Sequence, residues 1–497
     1  MERVPLLAGP RVLVPQVPQG ATVLHPPPPA APLADIAGAV ADALRFPLAG
    51  PPLERLAGRE TRVTIVVEPP ALPIPGADHD PRQDAIAAAV AELERCGVAL
   101  ERQTILVAGG LQRRATPREI GHLVSPEFRR RFRGRLIVHD AEHEGLVEVG
   151  PGLRVNPVLV DTDLVVVVTA AETVRNGGPA ALLGAASAEA LRGRSSGSLL
   201  EQRTSPTWAR AVELERALRN RVPLIGVSLA LNHPLPAGTL RGYPYDEAAI
   251  ERVASSPFRR ALSLVPAPVR RSLIRHLPIE LTAFAVLAGP PSVAHAEALL
   301  RVIEVRAAPL AEPLDAIVVG IPPTTPSQPR EWPNPISVAH LGLALALRLW
   351  RTQPALAEGG TVILLHHLRR TFAVPTQQPF RALFREAEFA RDPATLDAAE
   401  RSAAADDQAV AAYRGGRACH PLLPFAEWEA CSPSIERAGA VLVAGCRDAV
   451  AARQLGFIAM HGLAPALEMA RGRAGGSARI GLLLAPPYFP LLLGGES

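Results

Sequence analysis

The feature that most constrains the fold is a set of short apolar runs with no polar face. Residues Val63 to Val67 and the stretch 163–169 carry aliphatic side chains at nearly every consecutive position. A strand with one face in water alternates apolar and polar residues, so a strand apolar on both faces must be covered on both. Helical patterns separate these runs. Residues 84–96 form one, and Thr116-Pro117-Arg118-Glu119 opens another as a capping box after the strand 104–108. Continuous strands alternating with helices predict a parallel sheet between two helix layers.

The pattern occurs twice. Residues 315–321, 360–365, 440–444 and 479–484 read as strands, 336–350 and 464–471 as helices, and 380–413 as largely helical. A chain of 497 residues, at roughly 150 residues per domain, has room for both series. The expected fold class is α/β, with two domains of mostly parallel sheets flanked by helices and a ligand cleft between them. The Arg-rich helical stretch 248–280 reads as their connector. The domains are drawn as 1–260, including a Pro-rich N-terminal arm or edge hairpin, and 261–497.

Composition removes whole classes of chemistry. The chain contains no lysine, so all 52 basic residues are arginines. A Schiff base, a P-loop lysine and a cofactor tethered through lysine are therefore excluded. The cysteines at 96, 419, 431 and 446 have no CxxC spacing, which signals neither zinc nor a disulfide framework. Prolines at 5, 10, 15 and 18 break the opening apolar stretch, so no signal peptide is read, and the proline-interrupted run 480–494 is too short to span a bilayer. A cytoplasmic location is expected.

Charge gives little. The net value of +4 is small, and its densest cluster is Arg129-Arg130-Arg131 with Phe128 and Phe132 interleaved. Such rings can stack on single-stranded nucleic acid. They are also four residues apart, which anchors one face of a helix opened by Ser125 before Pro126. The anchored helix is preferred, and neither nucleic acid nor a membrane is expected as a partner. The run His139 to Glu144 has metal-binding residue types but no further ligand near it in sequence, so it reads as a solvated turn and no metal is expected.

In open parallel sheets ligands bind beyond the carboxyl ends of the strands. The loop Gly109-Gly110-Leu111-Gln112-Arg113-Arg114 there offers backbone N–H groups and a guanidinium to an anion, although a Gly-Gly pair also serves as a plain turn. The loop His366-His367-Leu368-Arg369-Arg370 suits a carboxylate or phosphate, with an exposed polar loop as the alternative. His340 falls inside an amphipathic helix, where packing is its default role. No GxSxG elbow and no GxGxxG fingerprint occurs. The residues alone imply a small-molecule binder with an Arg-rich cleft and do not specify a reaction.

The order of several segments carries more. They are Phe46-Pro47-Leu48-Ala49-Gly50-Pro51-Pro52-Leu53, then Thr64 to Glu68, Thr104 to Arg113, Val138-His139-Asp140, Arg154-Val155-Asn156, Ser205-Pro206 through Glu213, Ile225 to Asn232, Gly359 to Leu364, and a final Pro-Tyr-Phe-Pro run. In this order, over nearly the full chain, they resemble the nickel-pincer-dependent lactate racemases. The resemblance implies two α/β domains around a cleft. It also implies two histidines on opposite sides of the substrate carbon of a 2-hydroxy acid, acting as alternating acid and base and assisting hydride exchange with a nickel-pincer nucleotide tethered to lysine.

Position by position, that chemistry is missing. Gln112 stands at the first histidine, Val174 at the second, and Gly177-Gly178-Pro179-Ala180 where the tethering lysine belongs. No histidine occurs between His143 and His233 to hold the metal. Glu68 and Ala71 replace the Asp and Arg of an Asp-x-Thr-Arg-Pro motif, and Ser337 and His340 follow Asn334 where the family places substrate-binding Gln and Lys. The ligand-binding candidates are Glu68, Gln112, Arg113, Arg175, Asn334, Arg369 and Arg370. His340, His366 and His367 are the candidates for proton transfer. The expected function is binding of a small anionic metabolite of the 2-hydroxy acid type, as a racemase or epimerase with altered chemistry and without the lysine-tethered cofactor. The alternative is a non-catalytic relative that binds a ligand or a protein partner.

Overall fold

The computed structural model describes residues 3–69, 71–73, 79–121, 123–192, 196–257, 262, 264–386, 393–475 and 477–494. Twelve strands build two six-stranded sheets. They are β1 (Ala21–Leu24), β2 (Val63–Val67), β3 (Gln103–Val107), β4 (Arg135–Val138), β5 (Leu164–Ala171), β6 (Leu224–Leu231), β7 (Ala283–Gly289), β8 (Leu314–Gly320), β9 (Leu356–Leu365), β10 (Ala440–Ala444), β11 (Ile458–Met460) and β12 (Ile480–Leu483). The first sheet runs β7-β6-β5-β2-β3-β4, parallel except for the antiparallel pair β6 and β7. The second runs β11-β10-β9-β8-β12-β1 and is parallel throughout.

The apolar runs do what their pattern requires. Every residue of β2 and β5 is buried. Side chains alternate between faces. Val63, Ile65 and Val67 pack with Ile86, Ala89 and Leu93 of helix Pro81–Arg95, while Val66 points the other way toward Leu214 and Leu218 of helix Pro206–Arg219. Each fully buried aliphatic side chain contributes about 1.5–3 kcal/mol. No helix among the described residues is long and apolar enough to cross a membrane.

Two strands cross the expected division at 260. β1, from the N-terminal arm, pairs with β12 at the edge of the second sheet, with Ala21 opposite Ile480 and Leu24 opposite Leu483. β7, beyond the connector, returns to close the first sheet beside β6. An open apolar sheet edge needs a covering strand, and each sheet takes one from outside its own series. The arm does begin as a hairpin, Leu6–Ala8 against Arg11–Leu13. The connector holds helices Glu247–Ser255 and Ala267–Arg275.

The expected helix 336–350 also differs. It is α-helical over Pro335–Ala339, widens to a π-helical stretch over His340–Leu345, and ends in a 3-10 turn over Ala346–Arg348. Gly342 lies against β9, where an added Cβ would sit 2.4 Å from Leu364 Cδ2. Helix Pro126–Arg131 follows its expectation: Ser125 accepts from Phe128 N at 3.1 Å, and Phe128 and Phe132 stack with centroids 5.4 Å apart. Between Gln378–Glu386 and Pro393–Ala404, residues 387–392 of the expected helical stretch lie outside the described ones.

Candidate functional site

The carboxyl ends of β2, β3 and β5 open onto a cavity of about 350 Å³. Glu68, the Gly109–Gln112 turn and Arg175 line it from the first sheet, and Arg348, Leu423, Ala426 and Glu429 close it from the second half of the chain. Polar contacts hold the closing wall in place. Ala141 N donates to Tyr413 Oη, which donates to Gly110 O, both at 3.0 Å. His420 N donates to Leu111 O at 3.0 Å, and Leu199 N to Arg348 O at 2.8 Å.

Glu68 follows directly from β2. Its Oε2 accepts from Gly177 N at 2.9 Å, and its neighbours are Arg82 and Glu172. Burial pushes its carboxyl up to about 8, outweighing the pull of Arg82 and of the Gly177 N–H, so it is mostly protonated at neutral pH. Glu172 is also raised by burial, and its Oε2 accepts from Ala71 N and Leu72 N at 2.7 and 3.1 Å.

Two of the arginines that line the cavity, Arg175 and Arg348, come from opposite halves of the chain. Arg348 is buried and spends its donors on Ala430 O at 2.8 Å, Gly197 O at 3.3 Å and Ser196 O. Burial, and then the charge of Arg175, lower it to about 9. Arg175 is half-buried and, among the described residues, makes no hydrogen bond and no ion pair within 4 Å through its side chain. Burial lowers its pKa, while Glu427 and Glu429 raise it.

Behind the wall lies Glu427 on helix Leu423–Glu429. It accepts from Ser327 Oγ at 2.8 Å and Ser337 Oγ at 3.5 Å, and burial pushes it up to about 7. His340 Nδ1 is 3.1 Å from Glu427 O, which makes that nitrogen the donor. Burial, and then Arg175, hold His340 at about 3, so it is neutral.

The structure therefore gathers Glu68, Gln112 and Arg175 at one cavity and leaves the other candidates elsewhere. Arg113 is occupied by an ion pair with Glu119 and a 3.4 Å hydrogen bond to Gly416 O. Asn334 caps helix Pro335–Ala339, its Oδ1 accepting from Ile336 N and Ser337 N at 3.0 and 3.1 Å. His366 is buried beside Gly9 and held by burial at about 3. His367 has Nδ1 2.8 Å from Gly445 O, and Arg369 and Arg370 line a separate groove. His139 is buried with Nε2 2.8 Å from Ala186 O, so the turn it begins is not fully solvated. Sequence reasoning missed Arg348 and Glu429, and Glu427 behind the wall. No motif marks them, because they come to the cavity or its wall only through docking of the second half of the chain.

Two mostly parallel sheets with an arginine-lined cavity at the strand ends define a two-sheet α/β protein with a small-molecule-sized site. Residues 13–190 match the lactate racemase N-terminal domain. In structure the chain is similar to the lactate racemase apoprotein from Thermoanaerobacterium thermosaccharolyticum, with a TM-score of 0.60 and 14% identity over 99% of each chain. A protein from Thermotoga maritima aligns at a TM-score of 0.49 and 12% identity, over 94% of this chain and 100% of that one. No curated protein matches the sequence. The chain is similar to lactate racemase in fold, and its residues 13–190 match the lactate racemase N-terminal domain.

The lysine-tethered nickel group that this resemblance implies does not fit the residues present. The chain has no lysine. The segment at the tether position is packed under His295: a Cβ on Gly177 would lie 2.0 Å from His295 Cε1, and one on Gly178 2.7 Å from Pro291 O. His295 is fixed there, with Nε2 3.1 Å from Thr173 O and Nδ1 3.2 Å from Ser228 Oγ. Among the described residues no three His, Cys, Asp or Glu side chains converge as a metal site.

Proposed function

We propose that the cavity binds a small anionic metabolite of the 2-hydroxy acid type, with Arg175 taking the carboxylate. The observation that carries this reading is a half-buried guanidinium, without an ion-pair partner among the described residues, in the wall of a cavity of about 350 Å³. A guanidinium presents two parallel N–H donors, and a carboxylate matches them. The neutral Glu68 carboxyl can donate a hydrogen bond to the ligand's hydroxyl, and above about 8 it becomes a base. Gln112 supplies an amide donor and acceptor at the same wall. A racemase or epimerase using this site would therefore work through a carboxyl and not an imidazole.

One observation favours the second reading, a non-catalytic binder. Positions 112 and 174 carry Gln and Val, neither of which exchanges a proton near neutral pH. Val174 is fully buried and donates its N–H to Leu199 O. The four free thiols support a cytoplasmic setting. Neither nucleic acid nor a membrane enters this reading as a partner.

Calorimetry and thermal shift with D- and L-lactate, glycolate and malate test the proposal. The wild type is expected to bind and gain stability as ligand is added. Arg175→Gln is expected to bind about tenfold more weakly or worse with its unliganded melting point kept. No response to any of the four at millimolar concentration would sink the reading. Chiral chromatography of the lactate incubations then separates a racemase from a binder. After co-expression with the enzymes that make the pincer nucleotide, the chain is expected to keep its unmodified mass.

A further inference from the structure

The second sheet has a strand-end groove of its own, distinct from the cavity above. Arg369 and Arg370 enter it from the loop after β9, Arg381 and Arg385 from helix Gln378–Glu386, and Arg447 with Asp448 from the loop after β10. The groove measures about 960 Å³. The one carboxylate among its described lining residues is already committed: Asp448 takes Arg370 Nε at 2.8 Å and caps Ala451 N at 3.0 Å. Among the described residues, Arg369, Arg381, Arg385 and Arg447 make no hydrogen bond or ion pair through their side chains.

Some surface arginines elsewhere in this chain are matched. Arg479 pairs with Asp315 and Glu312, and Arg62 with Asp163. Like charges crowded on one concave wall repel one another, and the wall focuses their field on any anion that enters. The frame is braced for such a task. Arg447 N donates to Leu368 O at 3.2 Å, His367 Nδ1 lies 2.8 Å from Gly445 O, and Gln454 Nε2 donates to Phe384 O. Phe372, half-buried and 5.5 Å from the Phe384 ring, adds an aromatic face to the same wall.

We infer that this groove is a binding site for a triphosphate chain, either as part of a nucleotide or as free polyphosphate. Four unmatched guanidiniums complement the roughly four charges of a triphosphate, whereas a monocarboxylate would leave most of them unbalanced. The loops that carry Arg369 and Arg447 follow β9 and β10 at the carboxyl edge of a parallel sheet, the usual place for a ligand in this architecture.

Titration calorimetry of the full chain with tripolyphosphate, ATP and AMP tests it. Tripolyphosphate and ATP are expected to bind saturably, AMP more weakly, and all less well as salt rises. Arg381→Gln combined with Arg447→Gln is expected to weaken tripolyphosphate and ATP about tenfold or more, with the melting point and any 2-hydroxy acid response unchanged. If that pair fails to fold, Arg369→Gln with Arg385→Gln serves the same purpose. Equal affinity for ATP and tripolyphosphate assigns the site to the phosphate chain alone, and preference for ATP adds a base on Phe372. Absence of saturable binding by both would overturn the inference, as would unchanged binding in the double variant. Much tighter capture of a single-stranded oligonucleotide than of either probe would also overturn it.

Discussion

At the scale of residues, the distinctive groups are buried carboxyls. Glu68 at about 8 and Glu427 at about 7 both sit above their ordinary 4.5 because burial disfavours the charged form. A group raised in the folded state holds its proton more tightly there than in the unfolded chain. Its stabilising contribution is complete below 4.5 and is lost as pH rises through the folded value. Glu427→Gln, which stays neutral, is therefore expected to gain melting temperature relative to wild type as pH goes from about 5 to 8, and Glu68→Gln from about 5 to 9. A constant difference across that range would show that neither carboxyl is held neutral.

At the scale of elements, two tight junctions set local stability. Gly178, at φ +51°, opens helix Pro179–Leu183, and a Cβ there would stand 2.4 Å from His295 Cβ. Gly178→Ala combines left-handed strain with overpacking and is expected to cost about 3 kcal/mol or more in urea unfolding. Asn334 satisfies two amide donors at the start of Pro335–Ala339 and donates to Ser337 Oγ at 3.0 Å. Asn334→Ala is expected to cost about 1–2 kcal/mol, and because Ser337 Oγ also reaches Glu427, the variant should shift the pH profile described for that carboxyl. An unchanged profile would place Asn334 in a purely capping role.

At the scale of the whole molecule, docking of the second half of the chain completes the cavity. Tyr413 bridges Gly110 and Ala141 with one hydroxyl, and Tyr413→Phe leaves a buried carbonyl and a buried amide without that partner. The expected loss is about 1–3 kcal/mol for each group. Ligand affinity should fall as well, because the Gly109–Gln112 turn loses its anchor while Arg175 is untouched. Calorimetry on Tyr413→Phe checks this, and full affinity with lowered stability would separate the bridge from the site.

Much of the architecture was legible in the chain because it is local. The unbroken aliphatic runs of β2 and β5, the Thr116 capping box and the Ser125 cap each depend on neighbours a few residues away, and each forms as its pattern requires. Strand-end position also led to Gln112, since a loop after a parallel strand reaches the ligand edge whatever its composition, and the family resemblance led to Glu68. The absence of lysine settled a chemical question without any fold. What the sequence could not state was which distant segments meet. β1 joins the second sheet and β7 the first, because open edges are capped by whatever strand the tertiary path delivers. His366 and His367 follow an apolar strand just as Glu68 does, yet they end on the far sheet, packed on Gly9 and Gly445. Arg348 and Glu429 look ordinary in sequence and reach the cavity through docking held by contacts spanning more than a hundred residues, such as Arg348 with Ser196 and Tyr413 with Gly110. Periodicity records how much of a side chain must be buried, and only the packed chain decides against what.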